Sequence, residues 1–99
     1  VNVVVAAGAK VDIAKSYSFY EKQSAGWGGY FRQCIVEDLF QLEETAGIHR
    51  IISGYHHVKS AAFNSILYYR MEPDAAVVIA ILDGRIRPAK RDRILKSRR

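Results

Sequence analysis

Residues 19–31 read FYEKQSAGWGGYF, a tryptophan set among three glycines, and the reading of this stretch decides the fold. Gly26, Gly28 and Gly29 permit positive φ at little steric cost, whereas Trp27 carries a large apolar ring that needs a surface to pack on. Upstream, Val11, Ala14, Tyr17 and Tyr20 recur on one helical face with Ile13 beside them, while Lys15, Glu21 and Lys22 are placed to reach water. This predicts a first helix running from Lys10 to near Gln23. Downstream, Trp27, Phe31, Cys34, Ile35, Leu39 and Leu42 make an apolar stripe broken only by Asp38, and Gly47 supplies a C-terminal stop for a second helix. The glycine stretch is therefore the loop of a helical hairpin. Trp27 opens the second stripe four residues before Phe31, so its expected place is packed at the hairpin tip against the first helix with part of its ring exposed. The alternative is presentation to another molecule.

Working outward, residues 2–7 (NVVVAA) are β-branched and end at Gly8, which suits a short first strand. In the second half, residues 54–60, 63–72 and 75–83 read as three strands, connected through Ala61-Ala62 and Pro73-Asp74. Short links favour antiparallel pairing. Along the middle strand Ile66, Tyr68 and Arg70 point one way and Ser65, Leu67, Tyr69 and Met71 the other, whereas the last strand is apolar on both faces, as a covered central strand should be. The expected fold is α+β: an N-terminal strand and an antiparallel helical hairpin packed on a mainly antiparallel three- to four-stranded sheet, with a basic tail that forms a short helix through Asp92, Ile94 and Leu95.

Ninety-nine residues with 49% hydrophobic content suit one domain over residues 1–99. The longest apolar run, AAVVIAIL at residues 75–82, is far short of the roughly 20 residues a membrane helix needs. Residues 1–7 lack the basic start of a signal peptide, and the single Cys34 allows no internal disulfide, so a cytoplasmic setting is expected. Charge is unevenly spread. Residues 84–99 hold eight bases (Arg85, Arg87, Lys90, Arg91, Arg93, Lys96, Arg98, Arg99) against Asp92, a net of +7, while residues 1–83 hold seven bases and nine acids, a net of −2. Such a tail either binds a polyanionic or acidic partner or simply solubilises the chain.

Two stretches carry a family resemblance: FYEKQSAGWGGYF with the following QCIVEDLFQLEE, and SILYYRMEPDAAVVIAILDGRIRP. The first resembles the ParE pattern of Tyr-Glu-x-Gln, small residues and glycine, then a Phe opening the second helix. The second resembles the strand pair of the RelE/ParE superfamily of bacterial toxins, in which a Tyr-Arg strand passes through a tight turn into an apolar strand ending Gly-Arg. The resemblance implies a compact growth-arresting toxin of a toxin–antitoxin pair, silenced by a cognate antitoxin that folds on binding, in a homodimer or a toxin–antitoxin hetero-oligomer. ParE-like members inhibit DNA gyrase, whereas RelE-like members cleave ribosome-bound messenger RNA.

Chemistry separates the two. RNA cleavage needs a base for the 2′-hydroxyl, cations for the growing phosphate charge and an acid for the leaving oxygen. Where RelE-like proteins place lysines on the second strand, this chain has Tyr55-His56-His57-Val58-Lys59; where an arginine opens the third strand it has Ser65; and no tyrosine follows Tyr69. His56 and His57 are strand neighbours and face opposite sides, so they form no catalytic pair. The resemblance is thus closer to ParE, a binding inhibitor with no catalytic residues, and Trp27, Arg85, Arg87, Arg91 and Arg93 are the expected partner contacts. The alternative is a RelE-like endoribonuclease using His56 or His57 with Lys59 and Arg85. A third reading is a nucleic-acid-binding module acting through the cationic tail. No cofactor is expected, and no acids and histidines stand at metal-ligand spacing. Glu37, Asp38, Glu43 and Glu44 read as a solvated helix face, and His49 has no evident partner.

Overall fold

The N-terminal strand β1 (Asn2–Val5) hands almost directly into the first helix, α1 (Ala7–Gln23), in a computed structural model that describes residues 1–61 and 63–99. Ala6 donates its N–H to the Val78 carbonyl at 2.9 Å as the last act of the strand, and Lys10 N then closes the first helical turn on the Ala6 carbonyl. The helix therefore begins three residues before the expected Lys10. After Gly26, in the left-handed region at φ 91°, comes α2 (Trp27–Thr45), which ends as expected against Gly47 at φ 97°. The rest of the chain is β2 (Ile51–Ile52), β3 (Tyr55–Lys59), β4 (Ser65–Glu72), β5 (Ala75–Asp83) and α3 (Pro88–Ser97).

The strands form one sheet in the order β1-β5-β4-β3-β2, antiparallel throughout except for the parallel β1–β5 pair. Five strands replace the expected three to four. The extra one is β2, whose two residues pair with Tyr55 and His56 across a tight turn in which Ser53 (φ 52°) and Gly54 (φ 86°) both take positive φ. Two residues are too few to show a period. Of the connection expected at Ala61-Ala62, Ala62 lies outside the described residues.

Both faces of the sheet are covered. Leu67 and Tyr69 of β4 and Val78 and Ile81 of β5 pack under the hairpin with Ala9, Phe31, Ile35 and Leu42. On the other face Tyr68, Ile79, Ala80 and Leu82 meet Tyr55 and Leu95, the latter from α3. The register slips by one residue where Tyr68 pairs with Ala80 but Tyr69 with Val78, so Ile79 is a bulge that turns two consecutive side chains toward α3. The basic segment is thus an ordered helix docked on the sheet. Pro88 opens it at a position where its missing N–H costs nothing.

A carboxylate ties these layers together. β1 stops at Val5, level with Val78, while β5 runs on to Asp83 without a strand on that side. Asp12 of α1, buried, fills the gap: its Oδ2 accepts the Ile81 N–H at 2.9 Å. Arg98 then grips both oxygens of Asp12, at 2.5 and 2.9 Å, and donates to the Ile79 carbonyl at 3.3 Å. Its guanidinium pKa is raised, first by the hydrogen bond to Asp12. Replacing Asp12 by Ala leaves a buried N–H and a half-buried cation unmatched and should cost on the order of 3 kcal/mol in urea unfolding; a loss under about 1 kcal/mol would mean that the clasp is incidental.

Candidate functional site

The hairpin tip is held by Glu21, which was expected to reach water but instead accepts from Gly26 N at 3.0 Å and Gly28 N at 3.0 Å. A carboxylate from the end of α1 thereby caps the positive N-terminus of α2. Gly28 faces α1 so closely that a Cβ there would lie 2.7 Å from the Tyr17 carbonyl. The buried face of α2 runs through Gly28, Phe31, Cys34, Ile35 and Leu42, and Trp27, the first residue of the helix, falls between Phe31 and Cys34 in helical angle. Trp27 at the hairpin tip is less covered than expected, 51% exposed. Phe19 and Tyr30 are likewise more than half exposed at this end of the molecule. Beneath them Tyr20, Phe31 and Phe63 stack at centroid distances of 4.3 to 5.6 Å, and Tyr30 leans on Phe63 at 5.6 Å.

Arg85 belongs to the same end. Its charge is felt at Tyr20, whose phenol pKa is raised chiefly by burial and then by Asp83. Arg85 forks onto Asp83 at 3.0 and 2.7 Å, which holds the Asp83 carboxyl below its usual range, yet the arginine side chain stays 68% exposed. Exposed tryptophan, tyrosine and arginine over a rigid aromatic base are the residue types that dominate protein–protein hot spots. The structure thus brings Trp27 and Arg85 to one end and separates them from the other three arginines. Arg93 lies exposed on α3 and Arg87 just before it, while Arg91 turns inward to Asp92 and the Tyr68 hydroxyl.

A second apolar surface runs along the outside of the hairpin. A groove between α1 and α2 is lined by Ile13, Ala14, Tyr17, Ile35, Val36 and Leu39, with Lys10 and Arg32 at its margins. It continues past Phe40, 66% exposed, to the unpaired edge of β1.

The residues of the alternative RNA-cleaving set are dispersed. His56 stacks on Tyr69 under the hairpin at 5.0 Å, and His57 stacks on Tyr68 on the α3 side at 6.4 Å. Lys59 shares the face of His57, and the fork of Arg85 is engaged by Asp83. Each histidine donates from Nδ1 to a backbone carbonyl, His56 to His49 at 2.6 Å and His57 to Arg50 at 3.0 Å. His49 does have a partner. The Tyr69 hydroxyl accepts the Gly47 N–H at 2.9 Å and shares a hydrogen bond with His49 Nδ1 at 2.5 Å, clasping the α2–β2 loop to the sheet. Asp38 is likewise no solvated residue: it accepts the Ser60 hydroxyl at 2.5 Å and closes the end of β3. Among the described residues no group of histidines, cysteines and acids is arranged to hold a metal ion.

No family model matches the chain, and no curated protein matches it. Among solved structures it is similar to a chain from the chromosomal ParDE TA system of P. aeruginosa, with 15% identity, a TM-score of 0.73, and coverage of 81% of this chain and 91% of that one. The architecture is accordingly the RelE/ParE-like fold that the sequence resemblance implied.

Two sets of outcomes follow from this geometry. Gly28→Ala should lower stability by roughly 1–3 kcal/mol because backbone stands in the way of the new methyl, while Gly29→Ala, with open space around it, should raise stability by about 0.5–1 kcal/mol. Thermal melts of the two variants check this directly. The pKa of His49 is lowered from 6.5, first by burial and then by repulsion from His56 and His57. The unfolded chain then binds the extra proton more readily, so stability should fall as pH drops from about 6.5 through the depressed folded value. His49→Phe should flatten that part of the pH–stability curve, leaving the separate loss that arises when Asp83 and Asp92 protonate below about pH 4.

Proposed function

We propose that this chain is the toxin of a bacterial toxin–antitoxin pair, a ParE-like protein that inhibits DNA gyrase by binding and is neutralised by a cognate antitoxin. The observation that carries the reading is the fold shared with a chain of a ParDE TA system over most of both molecules, combined with the exposed aromatic tip of Phe19, Trp27, Tyr30 and Arg85. A rigid apolar patch rimmed by a cation suits a partner with an acidic rim. It needs no catalytic residue, since occupancy alone blocks the target.

The antitoxin's place in this proposal is the groove along the outside of the hairpin. Its apolar lining and its flanking Lys10 and Arg32 suit an amphipathic, acidic segment that folds as it docks. Antitoxin on this groove and gyrase at the tip would use adjoining surfaces, so that one occupant hinders the other. Such an activity belongs in the cytoplasm, and among the described residues no helix is long and apolar enough to cross a membrane. What weighs against the RNA-cleaving alternative is the placement of His56 and His57 on opposite faces of the sheet.

The test is gyrase supercoiling with purified protein. Inhibition with accumulation of cleaved DNA is expected, and Trp27→Ala should abolish it while changing stability by less than about 1.5 kcal/mol, well short of the cost of truncating a buried aromatic. Full supercoiling at stoichiometric excess, together with cutting of ribosome-bound message that disappears in His57→Gln, would replace this proposal by the nuclease.

A further inference from the structure

The eight cations of residues 84–99 are not equivalent once folded. Arg85 is held by Asp83, Arg91 by Asp92, and Arg98 by Asp12. The side chains of Arg87, Lys90, Arg93, Lys96 and Arg99 enter no hydrogen bond or ion pair among the described residues, and all five are exposed. They recur every third residue. On a helix this spacing steps about 60° backward around the axis and 4.5 Å along it, so Lys90, Arg93 and Lys96 fan over roughly 120° of the outer face. The opposite face, carrying Arg91, Ile94, Leu95 and Arg98, is the one turned to the protein.

The outer face is also chemically plain. Asp92, the single acid of the segment, is paired with Arg91 and accepts the Ser53 hydroxyl, which together hold its carboxyl below the usual range, the Ser53 bond foremost. Ser97 returns its hydroxyl to the Ile94 carbonyl. No aromatic or large aliphatic group is exposed on α3. Beside it a shallow recess against the β2–β3 turn is lined by Ser53, Ala89, Asp92, Arg93, Lys96 and Arg99.

From this arrangement we infer that α3 is a binding element for the phosphate backbone of duplex DNA, with Lys90, Arg93 and Lys96 as its contacts and Arg87 and Arg99 at its ends. An acidic protein partner would require an apolar centre to its interface, which this face lacks. Single strands are bound through stacking on aromatic rings, and none is exposed here. A convex helix with cations on both flanks fits the major groove of B-form DNA, whereas the major groove of duplex RNA is too narrow to admit it. The inference stands apart from the gyrase reading, because a chain that leaves gyrase untouched still carries this surface.

The test is fluorescence anisotropy of the full chain with a labelled 20-base-pair duplex of arbitrary sequence. Binding should weaken with salt along a log–log slope of about −3, as expected for three neutralised phosphates. The Lys90→Gln/Arg93→Gln/Lys96→Gln variant, with its melting curve unchanged, should bind at least about tenfold more weakly at 50 mM salt and lose most of that slope. Lys90→Gln alone should reduce the slope by about 1. A variant with the same charge loss elsewhere, Lys15→Gln/Lys22→Gln/Arg50→Gln, should keep both affinity and slope. Absence of binding at 50 mM salt, an unchanged triple variant, equal loss in the charge-matched control, or tighter binding of poly-glutamate or of single-stranded DNA than of the duplex would each overturn the inference.

Discussion

The geometry of this protein hangs on how β5 ends its life as a central strand. It is buried on both faces, yet β1 accompanies it for only four residues before the chain must leave the sheet to become α1. Past Val78 the strand presents backbone groups into a space that water cannot serve, and unsatisfied buried amides are expensive. Asp12 and Arg98 supply what a longer β1 would have supplied. Because one comes from α1 and the other from the end of α3, satisfying the edge also sets where both helices lie. The bulge at Ile79 belongs to the same solution, since it turns a carbonyl toward Arg98 and a second side chain toward α3.

That arrangement divides the charge of the C-terminal segment into two kinds. Arg85, Arg91 and Arg98 are tied to carboxylates, at the end of β5, within α3 itself and on α1 respectively. The remaining cations are left for solvent or for a partner. The apolar surface is divided in a similar way, into a covered stripe through Gly28, Phe31 and Ile35 and an uncovered fringe of Phe19, Trp27, Tyr30 and Phe40. A domain of this size that leaves so many large side chains uncovered is built to be covered by something else. The proposed target and antitoxin are two such covers.

Periodicity made the main elements readable. The 3.6-residue recurrence placed both hairpin helices, and the alternation along residues 65–71 assigned each side chain to its face, with Leu67 and Tyr69 under the hairpin and Tyr68 toward α3. What escaped reading was whatever depends on residues far apart in the chain. Asp12 and Arg98 are 86 positions apart, and neither has a local pattern that announces the other. His49 and Tyr69 meet across 20 positions, and Asp38 and Ser60 across 22. The exposure of Trp27 escaped for a different reason: it lies on the same side of α2 as Phe31 and Cys34, and how far a first-turn residue at a hairpin tip is covered does not show in the period. The residues expected to meet a partner could be named only by type, and the placing of Trp27 and Arg85 at the tip and of Arg91 and Arg93 on α3 required the fold.

The parallel pairing of β1 with β5 bears on when this protein becomes itself during translation. Asn2 must wait for Ala75, and Asp12 for Arg98, so a ribosome adding on the order of 5–20 residues per second leaves the early segments unpartnered for several seconds. During that interval α1, α2 and β1 offer their apolar surfaces without the sheet that organises them. The clasp that fixes both helices on β5 can close only after Arg98 has been made, so the hairpin is the earliest part of this fold to exist and among the latest to be locked in place.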